Sequence, residues 1–171
     1  MRTTRSPTGA GSACPGCGLV LPPSDGPTHA YLGSSPACWA RYGELLVREY
    51  GEFGNPAIHR LSVDAYAVQH PGVPERRSIQ SVAVHLMALS LVLERGWLPA
   101  DVTKRMGGFV ERARPAWLDP PEPNGTLTVE HPLAAANAAS HEVRVREWAA
   151  DVWPAWSRHH GRVAAWLDGY L

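Results

Sequence analysis

Cys14-Pro15-Gly16-Cys17-Gly18 constrains this chain more than any other stretch, because two cysteines separated by two residues are spaced to grip one metal ion. Cys38 lies 21 positions beyond Cys17, and His29 falls between them. Cys14, Cys17, His29 and Cys38 therefore offer three thiolates and one imidazole, a complete tetrahedral shell for Zn²⁺. Asp25 or a histidine distant in sequence competes with His29 for the fourth corner. Thiolates and imidazole suit zinc and disfavour magnesium or calcium. Gly16 and Gly18 let the loop turn so that backbone N–H groups can point at the sulfurs and spread their charge. Four protein ligands leave no position for water, so the expected role of the zinc is structural.

A disulfide and a redox pair are the competing uses of these cysteines. Three cysteines cannot all pair within one chain, and no signal-peptide pattern points to an oxidising compartment. A redox CxxC belongs at the end of a strand that opens a helix. Cys14 instead follows a leader of small and polar residues and precedes Leu21-Pro22-Pro23-Ser24-Asp25-Gly26-Pro27, which is loop chemistry.

At 171 residues the chain is long enough for one domain with a sizeable core. The expected organisation is a disordered leader over 1–12 and a single helical domain over 13–171, with the metal knuckle at 14–38. Formal net charge is zero, which argues against nucleic acid as a partner. The longest apolar run, Val82 to Leu93, is too short to cross a bilayer and is interrupted by His85 and Ser90. No membrane association and a cytoplasmic location are expected.

Proline and glycine divide the rest into helical blocks. Ser35-Pro36 is an N-terminal signal for a helix from about Ala37 to Phe53, along which Trp39, Tyr42, Leu45, Leu46, Glu49 and Tyr50 recur at steps of three and four. Gly54-Asn55-Pro56 separates it from a second helix, Ala57 to about His70, striped by Ile58, Leu61, Ala65 and Val68. His70-Pro71-Gly72-Val73-Pro74 ends that helix. A third, from about Ser78 to Arg95, is apolar nearly all round and is expected at the centre. Residues 99–113 suggest a shorter helix weakened by Gly107-Gly108, and Pro115 to Pro132 a long loop with a short extended piece at Thr126 to Val129. Val145, Trp148, Val152, Trp156, His159, Val163, Trp166 and Tyr170 predict one long final helix, or two bent at Pro154. The pattern as a whole is that of a mostly α, helical-bundle protein carrying an N-terminal zinc-knuckle-like loop.

A second site is suggested by polar residues on apolar faces. His85 sits inside the most apolar helix, where an imidazole must find a partner, and Asp64 lies beside the Leu61–Ala65–Val68 stripe. Together with one late histidine they can form an acid–base pair or hold a second metal. His141 and His159 are 18 residues apart, roughly 27 Å along a continuous helix, so at most one of them joins. Asp64 and His70 lie on different faces of one helix. A satisfied core histidine and an ordinary helix-capping aspartate are the bland readings. No phosphate loop, nucleophile elbow or HExxH is present.

Several strings resemble those of a family of short bacterial proteins known as a domain of unknown function. They are Cys14-Pro-Gly-Cys-Gly18, Asp25-Gly-Pro-Thr-His29, Ser34-Ser-Pro-Ala-Cys-Trp39, Val63-Asp-Ala-Tyr-Ala-Val-Gln-His-Pro-Gly72 and Ser78-Ile-Gln-Ser-Val-Ala-Val-His-Leu86, with the run Trp156 to His160. The resemblance implies that the cysteines, His29, Asp64, Gln69, His70, Gln80 and His85 belong to a family motif, and it implies no activity.

Two functions follow. In the first, the chain is a small zinc-stabilised module that binds a protein or a small molecule, supported by the saturated metal shell and the tryptophan-rich last helix, whose rings would form an exposed patch. In the second, it is a metal-dependent or acid–base enzyme acting on a small molecule. Its pocket would be lined by Gln69, His70, Gln80 and either His141 or His159, with His85 as ligand or general base and Asp64 as the carboxylate that orients it.

Overall fold

The computed structural model describes residues 11–54, 56–106 and 114–170. Residues 1–10 of the leader expected over 1–12, and the part of the predicted helix at 107–113, lie outside the described residues. Ser12, placed in the leader by sequence, instead pairs with Leu21. Strand β1 (Ser12–Ala13) runs antiparallel to β2 (Val20–Leu21) and closes the knuckle at its base.

Helix α1 (Pro36–Val47) starts where Ser35-Pro36 predicts: the Ser35 hydroxyl accepts from the Cys38 N–H, and Pro36 occupies the first turn. Its continuation, Arg48–Glu52, is a π-helical turn. One extra residue per turn there rotates Glu49 inward, where it is wholly buried. Helix α2 (Pro56–Gln69) is followed by α3 (Arg76–Leu93) and α4 (Pro99–Arg105). A short helix α5 (Glu130–Leu133) interrupts the predicted loop, and Thr126 to Val129 form no strand.

The final segment takes the second of its two predicted forms. Helix α6 (Ala138–Ala155) opens with a reciprocal cap between Asn137 and Ser140 and ends one residue after Pro154. A 3₁₀ turn (Ser157–His159) then leads into α7 (His160–Asp168). Pro154 is tolerated within the helix, but it marks where the helix stops.

Helix α2 shares the centre with α3, since it packs on α3, α4 and α6 while α3 also meets α7. Leu45, Leu61, Leu86, Met87 and Leu89 are fully buried between them. Trp148 and Trp156 are also fully buried and Trp153 nearly so. These rings therefore form core rather than the exposed aromatic patch anticipated from sequence. Their indole N–H groups find partners inside: Trp148 donates to Gln69 Oε1 (3.1 Å), and Trp156 to Asn124 Oδ1 (3.1 Å). Among the described residues, no helix is long and apolar enough to cross a membrane.

Candidate metal centre and the histidine-lined cavity

Four ligand atoms converge at one end of the bundle. The sulfurs of Cys14, Cys17 and Cys38 and one ring nitrogen of His70 all lie within 4.8 Å of one another, so the group can hold a metal ion. Three separate segments bring them together. The knuckle supplies Cys14 and Cys17 through a tight turn in which the Gly18 N–H donates to the Cys14 carbonyl (2.9 Å) and the Cys14 N–H to Leu19 O (2.9 Å). Gly18 takes a φ of 74°, which an L side chain rarely adopts. The first turn of α1 supplies Cys38, and the residue just beyond α2 supplies His70.

His70 is aimed by the way α2 ends. Its backbone N–H turns back to Ala67 O (3.2 Å), and its Nδ1–H donates to the Tyr66 carbonyl (2.7 Å). In the neutral ring a proton on Nδ1 leaves the Nε2 lone pair free, 3.4 Å from Cys38 Sγ. The knuckle presses directly on this residue: a Cβ on Gly16 would stand 2.5 Å from His70 Cδ2 and 2.6 Å from Gln69 O. Only glycine fits there.

The charges of the cluster are strongly coupled. Hydrogen bonds from the Cys17 and Cys38 thiols, and then His70, hold Cys14 far below the ordinary thiol value despite burial. Cys38 is pushed far above it, by the hydrogen bonds it gives to Cys14 and Cys17 and then by burial and their charge. Burial opposes charge on His70, yet hydrogen bonds and attraction to the Cys14 and Cys17 sulfurs push it up to about 9. Three neighbouring sulfurs thus cannot all ionise on their own, and a bound dication is what lets them do so. The Ser35 N–H reaches Cys14 Sγ at 3.4 Å and the Tyr66 hydroxyl reaches Cys38 Sγ at 3.6 Å, the outer bonds expected of a thiolate centre. All three cysteines are free rather than disulfide-bonded.

His29 is not in this cluster, which corrects the ligand set expected from sequence. Its ring packs edge-on against Tyr31 and Trp39, with Nδ1 accepting the Tyr31 N–H at 3.4 Å, and burial lowers its proton affinity. The distant histidine that competes for the fourth corner is His70. Spacing could not single it out, since it lies 32 residues past Cys38 with a whole helix between.

The second set of candidates divides. Asp64 and His85 do meet: the wholly buried Asp64 accepts from His85 Nδ1 at 2.7 Å and from Arg60 Nε at 3.0 Å. Of the other expected pocket residues, Gln80 stays beside His85, while Gln69, His70, His141 and His159 are elsewhere. Gln69 is buried and donates to the Asn124 and Leu127 carbonyls (2.9 and 2.8 Å), tying down the loop before α5. His141 is buried with Nε2 3.1 Å from Glu49 Oε1. His159 lies at the surface, 2.9 Å from Asp119 O. Gln80 lines a shallow groove with Tyr31, Arg77 and His85.

In place of a late histidine, His85 shares a cavity of about 240 Å³ with His29 and His59. His59 was not singled out by sequence. Its Nδ1 lies 2.9 Å from Oε2 of Glu49, whose other oxygen meets His141. Burial works to raise Glu49, but hydrogen bonds from His141, His59 and Ser62 hold it below the usual carboxylate range. The available signal was a carboxylate in the apolar stripe of the first helix.

A model described as a family of unknown function, DUF5946, matches residues 12–157. No curated protein and no solved structure matches the chain.

Proposed function

Since the chain belongs to the DUF5946 family, which supplies no activity, we propose from the geometry that it is a small helical binding module stapled by a structural zinc ion. The observation that carries this is the convergence of the Cys14, Cys17 and Cys38 sulfurs with His70. Zinc with sulfur ligands at 2.3 Å and nitrogen at 2.0–2.1 Å forms a tetrahedron with S···S edges of about 3.8 Å and S···N edges of about 3.5 Å. Cys17 Sγ and Cys38 Sγ stand 3.8 Å apart, and Cys38 Sγ and His70 Nε2 stand 3.4 Å apart. These separations fit a shared zinc and are far too long for a disulfide.

With four protein ligands the metal has no open corner, so its work is to clamp the knuckle, α1 and the end of α2 into one unit. Unoxidised thiols fit a reducing compartment, the cytoplasm. The ligand-binding part of the reading rests on the cavity lined by His29, His59 and His85, not on the tryptophans Trp148, Trp153 and Trp156, which are core. In the test, protein purified without added metal carries one zinc per chain and loses its fold when a strong chelator removes it. Metal-free protein with an unchanged melting temperature contradicts the reading.

One observation favours a second reading. His85 and Asp64 form an oriented imidazole–carboxylate pair that opens on a cavity, the arrangement a general base needs. In that reading Asp64 fixes the ring and His85 Nε2 takes a proton from a small-molecule substrate.

A further inference from the structure

We propose that the cavity between α1, α2, α3 and the 29–32 loop binds a small organic amine in its ammonium form, an inference that rests on the binding-module reading. Two imidazoles on different helices, His59 on α2 and His85 on α3, line this one cavity. Behind each stands a carboxylate that is wholly buried, Glu49 at 2.9 Å and Asp64 at 2.7 Å from the respective Nδ1. A carboxylate only accepts, so each ring carries a proton on Nδ1, and in its neutral form each turns an Nε2 lone pair to the other side. Two fixed acceptors sharing one space suit a ligand rich in N–H donors.

A third group in the cavity lacks a partner. Ser81, one turn before His85 on α3, is 92% buried, and its hydroxyl makes no hydrogen bond among the described residues. An unpaired buried hydroxyl costs about 1–3 kcal/mol, which a ligand group can recover. The volume, about 240 Å³, equals roughly eight water molecules at liquid density, enough for a short amine on an apolar body. Leu32, Leu46 and Val63 supply the apolar lining, with Trp39 and Tyr42 beside them.

Charge selects the ammonium over a carboxylate. The carboxylates behind the two imidazoles are Glu49 and Asp64, and the Arg60 guanidinium, 3.0 Å from Asp64, offsets the second of them. Among the described residues, Glu49 has ion-pair contacts with His59 and His141 alone. An anion in the cavity would face the Glu49 carboxylate and the negative faces of the aromatic walls, whereas a cation is attracted to both. The π-helical turn that carries Glu49 inward is the kind of local irregularity that recurs at functional sites.

The experiment titrates zinc-loaded wild-type protein with 2-phenylethylamine hydrochloride, 2-phenylethanol and sodium 3-phenylpropanoate. Calorimetry gives the affinity, and long-range ¹H–¹⁵N spectra report each imidazole Nε2. The amine is expected to bind at least tenfold more tightly than the other two and to shift His59 and His85 Nε2 while leaving His159 unmoved. His85→Gln and His59→Gln should each weaken amine binding about tenfold. Should either variant fold poorly, the wild-type Nε2 shifts decide alone. Tighter binding of the carboxylate, equal binding of the alcohol, or no amine binding up to about 10 mM overturns the proposal. Zinc content is measured on the same sample: zinc-loaded protein that ignores the amine defeats this inference alone, whereas protein without zinc defeats the zinc-stapled module.

Discussion

Replacing His70 with alanine separates the two candidates for the fourth ligand and has a size that the structure sets. His70 is wholly buried, with Nε2 in the cysteine cluster and Nδ1 on the Tyr66 carbonyl. Loss of a group that merely hydrogen-bonds a metal ligand costs 10–100-fold in affinity. Loss of a ligand itself should therefore cost at least about 100-fold, or about 2.7 kcal/mol. The Tyr66 carbonyl left without a donor adds about 1–3 kcal/mol to the destabilisation. His29→Ala removes one 3.4 Å contact and two edge-on ring contacts, and should change stability by about 1 kcal/mol or less. Competition against a chromophoric zinc chelator reads the affinities, and urea unfolding reads the stabilities. The reasoning is refuted if His29→Ala releases the metal while His70→Ala keeps it.

Two other substitutions probe the support around the site. Glu49→Gln should destabilise the protein by about 3 kcal/mol at neutral pH, because three side chains donate to a carboxylate that is then lost. Glu49 is held below its ordinary value of 4.5, so its contribution is full above that value and fades as pH falls through the lower folded value. The stability gap between wild type and Glu49→Gln, followed by urea unfolding, should accordingly narrow below about pH 4.5; a gap that widens there contradicts the assignment. Gly16→Ala should weaken zinc binding, since the new methyl would meet His70 and Gln69 at 2.5–2.6 Å, whereas Gly43→Ala, in the interior of α1 with nothing within 4 Å, should stabilise by about 0.5–1 kcal/mol in the same assay.

The sequence made the first three helices legible to within a residue or two because Pro36, Pro56 and Gly72 punctuate them, and side-chain periodicity fills the spans between. It was less informative wherever tertiary contacts decided the outcome. Helix α5 contains Pro132, which argues locally for a loop, yet Arg41 bonds Glu130 through Nε and Nη2 at 2.6 and 2.9 Å and anchors the turn to α1. Three of the four metal-cluster residues were readable from local spacing. The fourth was not, since His70 reaches the sulfurs only because α2 returns the chain to the knuckle. The Asp64–His85 pair was visible as polar residues on apolar faces, and the structure brings the two together. Their neighbour His59 carries no such mark, because its significance comes from Glu49, ten residues earlier, and from a π-helical turn that a 3.6-residue period does not anticipate.

The central claim is a closed zinc centre built from Cys14, Cys17, Cys38 and His70. X-ray absorption at the zinc edge, on protein purified without added metal, tests it most directly. The account predicts one zinc per chain with three sulfurs near 2.3 Å and one nitrogen near 2.0 Å. An absent edge, or a zinc with fewer than three sulfurs and bound water in their place, would contradict it.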